Sequence, residues 1–212
     1  AGLAAAIKIM QILEKDPELL ESLGEVPVAV IEKGKACGAH TLSGANMRPS
    51  AMRELFPDLP ESEWPVYGEV HKDSTYLLTK KRKIKLMPPP PNFKNHGNFV
   101  TSVAELSRWL AEKAEEMGVY VLTETAAMKL LVEEGKVVGV RTGDRGQDRD
   151  GNPMGNFEPG VDVVAKATII AEGTIGHLTM AAQEFFDIQP EQPQRYELGA
   201  GTYLDLLTAA VG

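Results

Sequence analysis

Apolar residues near the start of the chain recur at helical spacing, with small residues between them. The positions that share one helix face are Leu3, Ile7, Met10 and Leu13. A continuous apolar run, residues 28–31, follows and ends at Glu32, as is typical of a strand buried on both faces of a parallel sheet. A helix of small residues followed by such a strand predicts the second half of a βαβ dinucleotide-binding unit.

In the middle of the chain, the patterned stretches are shorter. Residues 48–56 predict a short helix that ends before Pro57, and residues 66–86 alternate as in a meander or hairpin. Prolines 88–91 end this region, because proline lacks the N–H that a central strand donates to its neighbour.

Longer elements return after residue 101. Ser102 and Glu105 have the spacing of a capping box, and the apolar positions that follow predict a helix ending at Gly118. Residues 119–122 then predict a strand. Residues 126–140 predict a hairpin that turns at its Glu-Gly pair.

The last third begins with a polar stretch, residues 143–160, which we expect to be a loop. Apolar runs at 161–164 and 167–170 predict strands, and residues 176–186 predict a helix. Within the polar stretch, residues 148–152 hint at a calcium loop. They lack the spacing and final Glu of an EF-hand, so we interpret them as a reversing turn in a hairpin.

Charge and cysteine content narrow the function classes. A formal net charge of -8 over 212 residues would repel phosphates, which argues against a nucleic-acid partner. The single cysteine, Cys37, argues against an internal disulfide and against a Cys-ligated metal or iron–sulfur site made by this chain alone. The histidines show no ligand spacing, and we assign no metal. No run approaches the roughly 20 apolar residues that span a bilayer.

Three elements point to a dinucleotide. Gly2 begins a helix, where free N–H groups can face a pyrophosphate. Glu32 ends a buried strand, where an acid accepts hydrogen bonds from ribose hydroxyls. Gly173 ends a late strand, where a glycine lets the backbone approach a cofactor. We expect the strand ends at Ile31 and Ile170 to lie side by side.

Several strings resemble one family specifically. The loop at residues 35–45 contains Gly38-Ala39-His40-Thr41-Leu42-Ser43-Gly44, which looks like the flavin-side loop of electron transfer flavoprotein:ubiquinone oxidoreductases. Residues 95–99, 107–119 and 169–178 are similar to the same family, and the similarity runs from residue 1 to about 199.

The resemblance implies roles for these positions in binding FAD. Glu32 would hold the adenosine ribose, residues 38–44 would line the flavin, Gly173 would approach the pyrophosphate, and the backbone of residues 126–127 would pass beside adenine. The expected cofactor-binding residues are Gly2, Leu3, Glu32, Lys33, Gly38, Ala39, His40, Thr41, Leu42, Ser43, Gly44, Ala126, Ala127, Ala171, Glu172, Gly173 and Gly176. No catalytic side chain is expected, and His40 is interpreted as part of the flavin loop rather than as an acid or base.

The implied activity is electron transfer from reduced electron transfer flavoprotein to ubiquinone. The family also has a 4Fe-4S cluster, which we expect only in a C-terminal region outside this chain. The first motif strand and the first two glycines of Gly-x-Gly-x-x-Gly are not in the sequence, so we expect an incomplete chain that binds FAD poorly and is inactive by itself. Alternatives are a related FAD reductase of the FixC or geranylgeranyl reductase kind and a non-catalytic fragment without cofactor.

The expected fold is a truncated α/β, glutathione-reductase-type (Rossmann-like) FAD-binding domain at residues 1–45 and 98–186. An antiparallel β insert would occupy residues 46–97, and residues 187–212 would be a tail or the start of another domain. The insert contains an apolar segment and a basic patch, residues 80–85. The apolar residues are Met52, Leu55, Phe56, Leu59 and Trp64.

Two interpretations of the insert stay open. It is either a hairpin packed on the domain or a surface that dips into lipid headgroups. The second would place the protein peripherally or monotopically on the bacterial or mitochondrial inner membrane, without a transmembrane helix.

Overall fold

The computed structural model describes residues 1–41, 44–88, 94–173 and 176–189. Its helices are α1 (Gly2–Leu13), α2 (Pro17–Ser22), α3 (Ser50–Leu55), α4 (Val103–Glu116) and α5 (His177–Phe185), with a 3-10 turn at Glu61–Glu63. Its strands are β1 (Ala29–Ile31), β2 (Ala45–Met47), β3 (Val66–Glu69), β4 (Tyr76–Leu78), β5 (Lys83–Lys85), β6 (Phe99–Thr101), β7 (Tyr120–Leu122), β8 (Ala127–Glu133), β9 (Lys136–Thr142), β10 (Arg145–Gln147), β11 (Pro153–Glu158) and β12 (Asp162–Val164).

The first helix buries the face that its sequence predicts. Ile7 is fully buried, and Met10 and Leu13 are buried beside it, while Leu3 packs partly against the same cluster. Ala114 of α4 and Val119 complete this cluster. The small residues of α1 therefore allow α4 to pack closely, and together the two helices support the sheet that follows.

The parallel pair β1 and β7 forms the centre of the nucleotide-binding unit. Ile31 lies opposite Leu122 at its carboxyl end, and the Glu32 N–H donates to the Leu122 carbonyl oxygen at 2.8 Å. Both predicted strands are confirmed, but the expectation that β1 is buried on both faces is wrong, because Ala29 is exposed and Val30 and Ile31 are half-buried. Because the two strands run in the same direction, the residues that follow them emerge at the same edge of the sheet.

Helix α4 is capped as predicted. The Ser102 hydroxyl accepts a hydrogen bond from the Glu105 N–H at 3.3 Å. The Glu105 carboxylate accepts a hydrogen bond from the Tyr67 hydroxyl at 2.9 Å, which links α4 to β3. The Ser102–Glu105 pair thus caps the start of α4, and Glu105 also connects this helix to β3.

A three-stranded antiparallel sheet, ordered β12-β9-β8, packs beside the parallel pair. Its hairpin turns at Glu134 and Gly135, which have φ values of 47° and 77°, the left-handed geometry of a type I′ turn. The predicted hairpin is confirmed. Its buried face contributes Leu130 and Val140 to a cluster with Leu178 of α5.

Residues 143–160 are not the loop that their polarity predicts. Strands β10 and β11 pair antiparallel across this stretch. The Asp148 carboxylate accepts hydrogen bonds from the N–H groups of Asp150 and Asn152, each at 2.9 Å, and forms the reversing turn that the sequence does predict. Every residue of β11 is exposed, so the strand lacks the apolar alternation that sequence reasoning relies on.

The apolar segment at residues 52–64, which begins within α3, packs inward. Met52 and Trp64 are buried with Phe99, under the antiparallel sheet ordered β2-β6-β3, and Leu55 is buried in the α1 cluster. Phe56 packs edge-on against Trp109 of α4, with ring centroids 5.1 Å apart. The option that the segment faces lipid is therefore wrong for its buried side chains, because α4 and the sheet cover them.

Residues 165–173 do not form the predicted strand at 167–170. The Ala165 N–H still donates to the Val138 carbonyl oxygen of β9 at 2.9 Å, but residues 166–173 belong to none of the sheets in the described part of the chain. Ile170 nevertheless packs against the cluster of Leu130, Val140 and Leu178, and Ile31 packs against the same cluster. Ile31 and Ile170 thus share a hydrophobic cluster, but the expected pair of adjacent strand ends is not formed, because only Ile31 ends a strand. Helix α5 is confirmed just beyond.

Candidate functional site

Backbone hydrogen bonds tie together the segments that leave β1 and β7. The Glu32 carbonyl oxygen accepts from the Thr125 N–H at 3.0 Å, and the Gly34 carbonyl oxygen accepts from the Glu124 N–H at 2.9 Å. One oxygen of the Glu32 carboxylate accepts from the Gly34 N–H at 2.7 Å. The carboxylate is therefore held at the edge of the sheet, half-buried, by the turn that follows it.

A cavity of about 540 Å³ opens beside this turn, within the range of small-molecule and cofactor pockets. Lys33, Gly34, Lys35 and His40, all after β1, contribute to its lining, as do Glu124 and residues 144–146. The structure therefore brings Lys33 and His40 to one cavity, and Glu32 adjoins the cavity through its hydrogen bond from the Gly34 N–H. Thr41 lies exposed further along the loop, and Leu42 and Ser43 lie outside the described residues.

The start of α1 lies against the segment after Ile170. A Cβ placed on Gly2 would be 3.3 Å from the Cβ of Ala171. The methyl side chain of Ala1 cannot accept a hydrogen bond and so cannot cap the helix, and no acid occupies the first turn. The first N–H groups of α1, beginning at Gly2 and Leu3, are thus suited to an anionic group such as a phosphate.

Glu172 has a structural task. Its carboxylate accepts hydrogen bonds from the Thr179 N–H at 2.8 Å and hydroxyl at 3.1 Å, and it pairs with His177 at 3.3 Å. It therefore caps α5, and the buried Gly176 leaves room for it, because a Cβ there would collide with the carboxylate. Gly173 has φ +81°, the conformation that favours glycine.

Gly38 brings the loop after β1 against α4. It has φ +81°, and a Cβ on it would lie 2.7 Å from the Ala104 carbonyl oxygen and 2.9 Å from the Ser107 Cβ. The neighbouring Ala39 would meet a Cβ on Gly34 at 3.3 Å. Gly44 also has a positive φ, +92°, but open space surrounds it. The two predicted glycines thus differ, since only Gly38 is required by close packing.

Ala126 and Ala127 stand at the start of β8, both half-buried. The Ala126 carbonyl oxygen accepts from the Gly143 N–H at 2.8 Å. This bond places the beginning of β8 beside the base of the β10–β11 hairpin, next to the cavity wall formed by residues 144–146. The two alanines are therefore near the site, although neither lines the cavity.

Sequence reasoning missed Glu124, Arg145 and Asn156, all of which line the cavity. Glu124 has φ 52°, a conformation uncommon in residues other than glycine. Nothing in the amino-acid pattern indicates that conformation. Gly146, between two polar residues of a supposed loop, is the one signal that could have indicated a bulge.

Cys37 lines a second, smaller cleft of about 210 Å³ with Arg108 and Glu115. Burial raises the pKa of its thiol, and the negative charges of Glu32 and Glu115 raise the pKa further. A thiol with a raised pKa carries little thiolate at neutral pH, so Cys37 acts as a small packing residue.

Comparison with known proteins identifies the kind of site. A family model described as "FAD binding domain" matches residues 69–200, more than half of the chain. The chain belongs to the FAD binding domain family. Curated relatives of this chain confirm the family resemblance that its motifs show.

Two relatives show how far the similarity extends. A probable electron transfer flavoprotein-ubiquinone oxidoreductase from Acinetobacter baylyi is 41% identical over 94% of this chain and 35% of its own length. The mitochondrial electron transfer flavoprotein-ubiquinone oxidoreductase of Homo sapiens is 39% identical over 94% of this chain and 32% of its own length. The chain thus spans about a third of the length of the relatives that it matches.

Among solved structures, a geranylgeranyl bacteriochlorophyll reductase-like protein from Thermoplasma acidophilum matches with a TM-score of 0.42 and 23% identity. The match covers 64% of this chain and 30% of that one. The likeness is too loose to add to the family assignment.

We expect Gly38→Ala to lower the free energy of unfolding by about 2 kcal/mol or more, since it combines left-handed strain with a steric clash. Gly44→Ala is the matched control. It meets only the left-handed strain, about 1–2 kcal/mol. Urea unfolding of the two variants measures the difference, and equal losses would contradict the close approach of Gly38 to α4.

Proposed function

We propose that this chain is the FAD-binding part of an oxidoreductase that passes electrons from reduced electron transfer flavoprotein to ubiquinone. The names of its relatives and their 38–41% identity support the activity. The observation on which the proposal depends is the position of Glu32, held at the carboxyl edge of the parallel pair beside an open cavity.

The residues present fit FAD. The Glu32 carboxylate uses one oxygen on its own turn, and no hydrogen bond from the described residues occupies the second, which suits ribose hydroxyls. The first N–H groups of α1 suit the pyrophosphate, and Gly173 lies on the segment after Ile170 that approaches the start of this helix. Bound FAD would supply the redox chemistry, and this chain would bind it, orient it and shape its surroundings.

The proposal also includes the fold type, the domain bounds, the iron–sulfur cluster and the activity of the chain alone. We assign the domain to the glutathione-reductase type, with residues 1–45 and 98–186 as the FAD-binding part and residues 46–97 as the insert. We propose that the 4Fe-4S cluster lies in a C-terminal region outside this chain, which covers 35% and 32% of the length of two relatives. For the same reason we propose weak FAD binding and no activity for the 212-residue chain alone.

A peripheral membrane contact is part of the proposal, because ubiquinone is an apolar substrate. None of the helices in the described ranges has both the length and the apolar character to cross a bilayer. The hairpin β4–β5 instead presents apolar side chains to solvent: Leu77 is 54% exposed, Leu78 72% and Ile84 48%. Basic residues 80–83 surround its turn. Such a combination suits anionic headgroups.

We expect Glu32→Gln to weaken FAD binding about tenfold, because the amide keeps an acceptor for the Gly34 N–H but loses the charge that strengthens bonds to the ribose. Glu133→Gln, an exposed substitution on β8, should leave FAD binding unchanged. Titration of the flavin-free intact protein, followed by flavin fluorescence, measures both. Equal FAD affinity for Glu32→Gln and wild type would remove Glu32 from the site.

We expect the intact protein to be reduced by reduced electron transfer flavoprotein and reoxidised by a soluble ubiquinone analogue. Flavin absorbance under anaerobic stopped-flow conditions reports both steps. A protein that binds FAD but accepts no electrons from this donor would instead be a related FAD reductase of the FixC or geranylgeranyl reductase kind. A protein without bound flavin would be a non-catalytic module.

We expect a double substitution on the hairpin, Leu77→Asp with Ile84→Asp, to reduce binding to vesicles about tenfold or more, because the two side chains share one exposed face. The control is Met128→Asp with Val164→Asp, which charges two exposed apolar positions elsewhere. Flotation of the intact protein with anionic phospholipid vesicles measures the loss. Equal losses in both variants would contradict a specific role for the hairpin.

A further inference from the structure

The β10–β11 hairpin is irregular at the point where it meets the cavity. Its register shifts between Arg145 and Gln147, which marks a β-bulge. Gly146 inside the bulge has φ +67°, and a Cβ there would collide with the Asn156 backbone. A bulge changes the direction of neighbouring side chains and occurs often beside active sites. Here it turns Arg145 toward the cavity that Gly146 and Asn156 also line.

Hydrogen bonds fix the base of this hairpin. The Asp144 carboxylate accepts from the Gly160 N–H at 2.8 Å, which joins the two ends of the hairpin. The Arg145 guanidinium donates through Nη2 to the Thr123 carbonyl oxygen at 3.2 Å and to the Thr125 hydroxyl. Thr125 is only 5% exposed, so the guanidinium is attached to a rigid part of the turn after β7.

The guanidinium lines the same cavity as the turn that follows Glu32, because Lys33, Gly34 and Arg145 all contribute to its lining. Thr125 connects the two, since its N–H donates to the Glu32 carbonyl oxygen at 3.0 Å and its hydroxyl accepts from the Arg145 guanidinium. A nucleotide whose ribose is held by Glu32 would extend its base into this cavity, since the base is attached to the same sugar. The cavity is large enough for such a group.

We propose that Arg145 forms the adenine wall of the FAD site, with the plane of its guanidinium packed against the adenine ring. The proposal rests on the proposed binding of FAD and deepens it by assigning a residue to the adenosine end. Arginine suits this position because its guanidinium is planar, weakly hydrated and able to stack on an aromatic face while its edges donate hydrogen bonds. Both bonds, to Thr123 and Thr125, are made through Nη2, and Arg145 is otherwise exposed, which gives a ligand access to its side chain.

A purely structural role makes a different prediction. If Arg145 only fastens the hairpin, its loss would loosen the whole site and weaken every flavin ligand to a similar degree. If it packs on adenine, its loss would weaken only ligands that carry adenosine. FAD and ADP contain this group, whereas FMN contains the flavin and one phosphate without it.

The test compares Arg145→Met and Arg145→Lys with Arg149→Met, which removes a charge from the exposed turn of the same hairpin. We expect the two Arg145 variants of the intact, flavin-free protein to lose FAD and ADP affinity about tenfold and to keep wild-type FMN affinity. The lysine variant keeps the charge but not the plane, so it should not restore binding. Arg149→Met should match wild type for all three ligands.

Flavin fluorescence titration measures FAD and FMN affinity, and competition with FAD measures ADP affinity. Unchanged FAD affinity in Arg145→Met, or equal losses for FAD and FMN, would overturn the adenine contact while leaving the proposed function in place. Restoration by Arg145→Lys would overturn the stacking geometry. If wild-type protein binds no FAD, the proposed function itself fails and this inference fails with it.

Discussion

The parallel pairing of β1 with β7 is the constraint on which the rest of the structure depends. The pair places Glu32 and the turn at residues 123–125 at one edge of the sheet, and backbone hydrogen bonds from Thr125 and Glu124 hold the two connections together. Because both connections begin at the same edge, a cavity forms where they diverge. The site is thus a consequence of strand direction, and its side chains occupy positions that the backbone has already fixed.

Packing on the other side of the pair makes this edge rigid. Helices α1 and α4 share a buried cluster around Ile7 and Ala114, and Gly38 lets the loop after β1 lie against α4 without a side chain between them. The loop that resembles the flavin-side segment of the family is therefore anchored at its first glycine. The same helix α4 also covers the aromatic residues of the β2-β6-β3 sheet through Trp109.

Two hairpins extend from this core with different chemistry. The β10–β11 hairpin is polar, carries a bulge and contributes Arg145 to the cavity. The β4–β5 hairpin is apolar and basic, and its side chains contact mainly solvent. Contiguous exposed apolar patches often mark interaction sites, which is why we propose the membrane contact at β4–β5 and the cofactor contact at β10–β11.

Periodicity and capping residues by themselves determined the helices α1, α4 and α5, the strand ending at Glu32 and the β8–β9 hairpin, because each is specified by neighbours in sequence. Motif strings determined the family. Only the tertiary structure decided that Met52 and Trp64 face inward, that residues 167–170 pair with no strand in the described ranges, and that a polar stretch pairs as β10–β11. Burial and strand pairing depend on segments distant in the chain, and the left-handed Glu124 and the bulge at Gly146 follow from those contacts.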